Sequence, residues 1–176
     1  MHVIYYDHES EPAMSDQSLT FTQSFDQTPE EVFAAVLDPR GWWGKDIQGG
    51  TAEEGDEFVY EVPGTHRSRM RLTQVVPNER VVWHAVDNLI TFTEDQKEWD
   101  GTEVHFDISP TADGGTELRF THVGLASDFE CYDVCHKAWG FYVNTSLRRF
   151  ITTGTGLPNE YGDEVSAVEA RMEAAG

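Results

Sequence analysis

The stretch Ser127–Gly154, SDFECYDVCHKAWGFYVNTSLRRFITTG, decides the fold. At about 100° per residue, its apolar and small side chains form one stripe and its charged side chains lie opposite. The stripe consists of Cys131, Cys135, Trp139, Tyr142, Ser146 and Phe150. Ser127 and Glu130 predict a capping box at the start, and Gly154 is typical of a helix C-terminus. The pattern therefore predicts one long helix with a single buried face.

The residues before this helix alternate between apolar and polar side chains, which is the period of β-strands. Strands are predicted at Leu19–Phe25, Phe58–Val62, 66–73, Arg80–Val86, Leu89–Thr93, 104–108 and 118–122. After the first strand, Thr28-Pro29-Glu30-Glu31 predicts the capped start of a short helix. Arg40–Gly44 then predicts a second short helix or turn that carries two tryptophans.

We therefore predict an α+β fold: a curved antiparallel sheet of about six or seven strands, wrapped around the long C-terminal helix. Two short helices follow the first strand. The domain is predicted to span residues 19–158. Residues 1–18 are expected to form a flexible tail, and residues 159–176 an acidic tail with room for one short helix.

The charge of the chain excludes several functions. Its 176 residues include 32 acidic and 12 basic side chains, for a formal net charge of −20. Such a surface repels nucleic acids and anionic membranes. The longest apolar run, Val32–Leu37, is far shorter than a membrane span, and no secretory signal is visible. We expect a cytoplasmic protein that binds neither nucleic acid nor membrane.

Several motifs resemble the START-like superfamily (SRPBCC proteins, helix-grip fold). Within it they are most similar to the branch that contains the C-terminal domain of the heat-shock-protein-90 ATPase activator. The motifs are Thr28-Pro29-Glu30-Glu31-Val32-Phe33, Arg40-Gly41-Trp42-Trp43, Val81-Val82-Trp83-His84, Trp99-Asp100-Gly101-Thr102, Phe120-Thr121-His122-Val123-Gly124-Leu125 and 146–154. This superfamily includes lipid carriers, polyketide cyclases, hormone receptors and co-chaperone domains, so the fold does not fix the function.

The resemblance and the predicted sheet together imply a pocket under the long helix. Its predicted lining is Trp42, Trp43, Tyr60, His66, Met70, Trp83, Phe120, His122, Cys131, Cys135, Trp139 and Tyr142. An aromatic wall with a few polar groups is typical of a small-molecule site. The alternative is that these side chains simply fill the core.

Two histidines carry the most information about chemistry. Strand alternation points His66 and His122 inward and His105 outward. A buried imidazole needs a hydrogen-bond partner, or else it titrates. The two inward histidines are therefore candidates for binding a ligand or for acid–base catalysis, and the alternative is two fully bonded core residues.

Cys131 and Cys135 lie one helical turn apart. This spacing is poor for a disulfide, so reduced thiols are expected. A zinc site shared with His122 is disfavoured because the knuckle-type cysteine pairs of structural zinc are absent. A nucleophilic role is disfavoured because no activating cation is near either cysteine in the sequence pattern. We predict no metal and no cofactor.

The preferred hypothesis is a protein that binds a small hydrophobic or amphipathic molecule in an internal cavity. No standard catalytic motif is present, which favours a non-enzymatic role. The first alternative is an enzyme of the polyketide cyclase/dehydratase type that uses His66 or His122 as acid or base. The second is a protein-interaction module similar to the chaperone activator domain. A homodimer is a further possibility, and a chaperone is a less favoured partner.

Overall fold

The structure is a computed structural model, and it describes residues 18–160. One antiparallel sheet contains seven strands in the order β1-β7-β6-β5-β4-β3-β2. The strands are β1 (Ser18–Phe25), β2 (Gln48–Gly49), β3 (Glu57–Val62), β4 (His66–Val76), β5 (Arg80–Ile90), β6 (Glu103–Pro110) and β7 (Thr116–Val123). Of the two predicted tails, 1–18 and 159–176, residues 1–17 and 161–176 lie outside the described residues.

A single helical rod, here called the closing helix, follows the sheet. It consists of α2 (Tyr132–Phe141), a π-helical turn (Tyr142–Leu147) and α3 (Arg148–Thr153). Gly154 ends the rod with a φ of 87°, as predicted, and its N–H donates to Phe150. The α+β helix-grip fold is thus confirmed.

The segment after β1 positions two core tryptophans. Helix α1 (Pro29–Val36) starts with the predicted capping box, in which the Thr28 hydroxyl accepts from the Glu31 N–H and the Glu31 carboxylate accepts from the Thr28 N–H. A 3₁₀ turn, Pro39–Gly41, takes the place of the second short helix. This turn directs Trp42 and Trp43 into the core, where they are 0% and 2% exposed.

One strand prediction is wrong. Leu89–Thr93 is not a separate strand, because Leu89 and Ile90 extend β5 and residues 91–102 form the loop to β6. The β4–β5 pairing contains two register shifts, and such bulges interrupt the alternation from which strand ends are predicted.

The start of the closing helix also differs from the prediction. Ser127 and Glu130 do not form a capping box there. The Glu98 carboxylate accepts hydrogen bonds from the N–H groups of Glu130 and Cys131, at 2.7 and 3.1 Å. The first amides of the helix are therefore satisfied by the β5–β6 loop, which lies about thirty residues earlier in the chain.

The π turn widens the buried face of the closing helix. Its buried residues are Tyr142, Val143, Ser146 and Leu147. Ser146 fixes this turn to the body of the domain, because its hydroxyl donates to the Trp42 carbonyl at 2.6 Å. Within residues 18–160, no helix is both long and apolar enough to cross a membrane.

Candidate functional site

A narrow crevice opens between the sheet, the β5–β6 loop and α2. It is lined by Trp43, Tyr60, His66, Trp99, Cys135, Ala138, Trp139 and Tyr142, and its volume is about 40 Å³. This is enough for about one water molecule. Its walls are largely aromatic: Trp43 stacks on Tyr60, with ring centroids 4.0 Å apart, and packs against Trp139 at 5.0 Å.

The crevice contains half of the twelve residues that the sequence predicts as pocket lining. Those six are Trp43, Tyr60, His66, Cys135, Trp139 and Tyr142. The other six are Trp42, Met70, Trp83, Phe120, His122 and Cys131, and each is 0% exposed. Aromatic rings therefore fill most of the space that the sequence analysis assigned to a cavity. Binding of a ligand by any of the twelve stays a prediction.

The sequence analysis missed two wall residues, Ala138 and Trp99, of which Trp99 is the larger. Its indole lies between two imidazoles, with ring centroids 4.7 Å from both His66 and His122 and nearly perpendicular ring planes. The sequence does place this tryptophan directly before the Asp100-Gly101 turn, and that position could have marked it as a wall residue. Alternation along strands could not reveal its role, because Trp99 lies in a loop.

His122 forms hydrogen bonds through both ring nitrogens. Its Nδ1 accepts from the Trp139 indole N–H at 3.0 Å, and an indole can only donate. The proton of His122 must therefore be on Nε2, which donates to the Thr102 hydroxyl at 2.8 Å. That hydroxyl in turn donates to the Trp99 carbonyl at 2.7 Å. His122 thus joins β7, the β5–β6 loop and the closing helix.

Burial keeps this imidazole neutral. It lowers the pKa of His122 to about 3, and the nearby His66 contributes in the same direction. With no unused nitrogen and a neutral ring at physiological pH, His122 has the properties of a structural residue.

His66 has a different environment. It is half-buried, and its Nε2 shares a hydrogen bond of 2.7 Å with the Ser68 hydroxyl. Its Nδ1 has no hydrogen bond to the part of the chain that the structure describes. Burial lowers the pKa of His66 to about 4, so this ring is also neutral at pH 7. Because His66 also lines the crevice, its imidazole is a polar group in an otherwise largely aromatic wall.

Trp99 supplies a second unsatisfied group. Its side chain is buried, and its Nε1 has no hydrogen-bond partner among residues 18–160. The Trp99 N–H lies near the Cys135 thiol and acts to lower the pKa of that thiol. The two groups do not have the geometry of a hydrogen bond. A buried N–H without an acceptor costs about 1–3 kcal/mol, which a ligand oxygen or nitrogen could recover.

The two cysteines are reduced and buried. The neighbouring Cys131 thiol, and then burial, raise the pKa of Cys135 far above its ordinary value. Such a thiol is a poor nucleophile because the thiolate is the reactive form. Nowhere in residues 18–160 do three His, Cys, Asp or Glu side chains come together as a metal site requires.

Comparison with known proteins places this architecture in a family. The family model for "Activator of Hsp90 ATPase homolog 1-like protein" matches residues 26–152. Among solved structures, the Aha1 dimer of Colwellia psychrerythraea has a TM-score of 0.64 and 23% identity, with 79% of this chain and 98% of that chain covered. A search of curated proteins finds no match.

Two further solved structures have the same fold. DynU16, from the dynemicin biosynthetic locus, has a TM-score of 0.62 and 17% identity over 80% of this chain and 49% of that chain. CalU16 from Micromonospora echinospora has a TM-score of 0.58 and 19% identity over 90% and 85%. At such identities the likeness shows the fold alone. The match over residues 26–152 shows that the chain belongs to the family of Activator of Hsp90 ATPase homolog 1-like proteins, within the START-like superfamily.

Proposed function

We propose that the protein binds a small amphipathic molecule at the crevice between Trp43, His66 and Trp99, in the cytoplasm. The observation that carries this proposal is the pairing of aromatic walls with His66, whose Nδ1 has no hydrogen bond within residues 18–160. The buried Trp99 N–H, which has no acceptor there, destabilises the empty crevice. Apolar walls supply binding energy and a few polar groups orient the ligand. A ligand that buries about 200 Å² of apolar surface would gain about 5 kcal/mol.

Catalysis is less well supported. General acid–base catalysis works best when the catalytic pKa is near the working pH, whereas burial lowers the pKa of His66 to about 4. His122 has both nitrogens engaged. The neighbour DynU16, from the dynemicin biosynthetic locus, is compatible with either binding or catalysis, and the properties of the two histidines favour binding.

The test fills the crevice from the helix side. Ala138 lines it, whereas Ala34 is exposed on α1 and provides the matched control. In titrations with N-phenyl-1-naphthylamine, a neutral amphipathic fluorophore, Ala138→Leu is expected to weaken binding at least about tenfold relative to the wild type. Ala34→Leu should bind as the wild type does. Equal affinities in all three proteins would remove the crevice as the binding site.

A second candidate function, interaction with another copy of the chain, is favoured by exposed apolar side chains. Leu89, Phe92 and Val134 are 37%, 50% and 54% exposed. The Colwellia protein of the same fold is described as a dimer. If this chain forms a homodimer that buries Phe92, Phe92→Ser should shift it to monomer in analytical ultracentrifugation. A monomeric wild type, or a dimer that the substitution leaves unchanged, would contradict this assignment.

A further inference from the structure

The crevice is too small for a ligand, so a wall must move for binding to occur. One wall is the segment 91–102, here called the Trp99 loop, which joins β5 to β6 and contacts the residues just before the closing helix. At its centre, Trp99 is 3% exposed and stacks on Trp139, with ring centroids 5.9 Å apart and planes 11° from parallel. Removal of this indole would leave a flat slot between His66 and Trp139.

Four hydrogen bonds attach the Trp99 loop to the start of the closing helix. The Glu130 carboxylate accepts from the N–H groups of Glu94 and Asp95, at 3.1 and 2.9 Å. In the opposite direction, the Glu98 carboxylate accepts from the N–H groups of Glu130 and Cys131. We call this reciprocal arrangement the Glu98–Glu130 clasp. Each of its carboxylates accepts from two backbone amides, and no Lys or Arg of residues 18–160 takes part in these four bonds.

Charge repulsion opposes the clasp. The Trp99 loop contains four acidic residues and one basic residue, Lys97. Three more acidic residues surround the helix start: Asp128, Glu130 and Asp133. Like charges at this proximity repel each other, and salt screens that repulsion. The unsatisfied Trp99 N–H is a further cost of the closed state. The clasp and the packing of one indole hold the Trp99 loop against the closing helix. Hydrogen bonds to β5, from Ile90 to Gln96 and from Gly101 to Ala85, hold the loop to the sheet.

We propose that opening of the Glu98–Glu130 clasp withdraws Trp99 and admits a flat, neutral, one- or two-ring aromatic ligand into the slot between His66 and Trp139. This inference rests on the proposed binding function. The ligand class follows from the geometry of the residue it replaces: an indole, edge-on to two imidazoles and parallel to a third aromatic ring. The His66 Nδ1 supplies the polar contact.

The experiment compares Glu98→Ala with Glu94→Ala. Both substitutions remove one carboxylate from the Trp99 loop, but only Glu98 accepts hydrogen bonds in the clasp, whereas Glu94 contributes its backbone N–H. Association of 2-naphthol, a flat and neutral two-ring fluorophore, is followed by stopped-flow fluorescence, and opening of residues 91–102 by hydrogen–deuterium exchange. For Glu98→Ala we expect both rates to rise about tenfold, because apparent binding scales with the population of the open state. For Glu94→Ala neither rate should rise.

The outcomes separate this inference from the proposed function. If the wild type binds the probe but Glu98→Ala binds it no faster, the clasp does not control entry and the inference is wrong, while crevice binding stands. If neither protein binds the probe although the Trp99 loop exchanges faster in Glu98→Ala, the proposed function itself is wrong and the inference is overturned with it.

Discussion

Between pH 7 and pH 5 the protein is expected to lose about 3 kcal/mol of its free energy of unfolding. Burial lowers the pKa of His66 to about 4 and that of His122 to about 3. In the unfolded chain both imidazoles titrate near pH 6.5. Below that pH the unfolded state binds protons that the folded state does not, so stability falls as the pH falls. A fully buried histidine with such a lowered pKa reduces the free energy of unfolding by about 2 kcal/mol at pH 5. His66 is half-buried and should contribute less.

Chemical denaturation at a series of pH values measures this loss. The variant His122→Phe fills the same space and removes one of the two titrating groups. Its stability at pH 7 should fall by about 1–3 kcal/mol because the Trp139 N–H loses its acceptor. The slope between pH 7 and pH 5 should become roughly half as steep. If the wild type and the variant lose stability in parallel, His122 is not buried as a neutral base.

Replacement of Trp43 by alanine is expected to cost about 3–5 kcal/mol of stability. Trp43 is 2% exposed and stacks on Tyr60 and Trp83, with ring centroids 4.0 and 5.6 Å away. Because Trp43 also lines the crevice, the vacated space joins it and forms an apolar cavity the size of an indole. Added indole should occupy that cavity and restore about 1–3 kcal/mol, since a ligand that binds only the folded state stabilises it.

Trp42→Ala is the matched control for this rescue. Trp42 is also fully buried, but it does not line the crevice. Its loss should lower the midpoint of thermal unfolding by a similar amount, and millimolar indole should raise that midpoint much less than in Trp43→Ala. Equal rescue of the two variants would contradict the position of Trp43 at the crevice wall.

The sequence predicted the fold well because its strongest signals are local. The capping box at Thr28 and Glu31, the alternation along the strands and the stripe of the closing helix each involve residues a few positions apart. The errors arise where distant segments meet. Glu98 caps a helix about thirty residues away, and no spacing rule relates it to Cys131.

The candidate site was predictable only in part. Alternation correctly directed His122 into the core, but its partner Trp139 lies on another element and was not foreseen as a donor to it. Periodicity shows which side chains face inward, but not how completely they fill the space there. For that reason the twelve predicted lining residues divide between an open crevice and a closed core.

The π-helical turn separates the two α-helical parts of the closing helix, and the chain can change in length there without altering either part. A π turn takes up one residue more than an α-helical turn does, so the extra residue is absorbed within the turn. A one-residue deletion within Tyr142–Leu147 would convert the turn to α-helix and leave α2 and α3 on their present faces. Arg148 would then keep its position over the Phe25 ring, 4.6 Å away, and Trp139 would keep its orientation. Alignments of this family should therefore allow a single-residue gap at this turn.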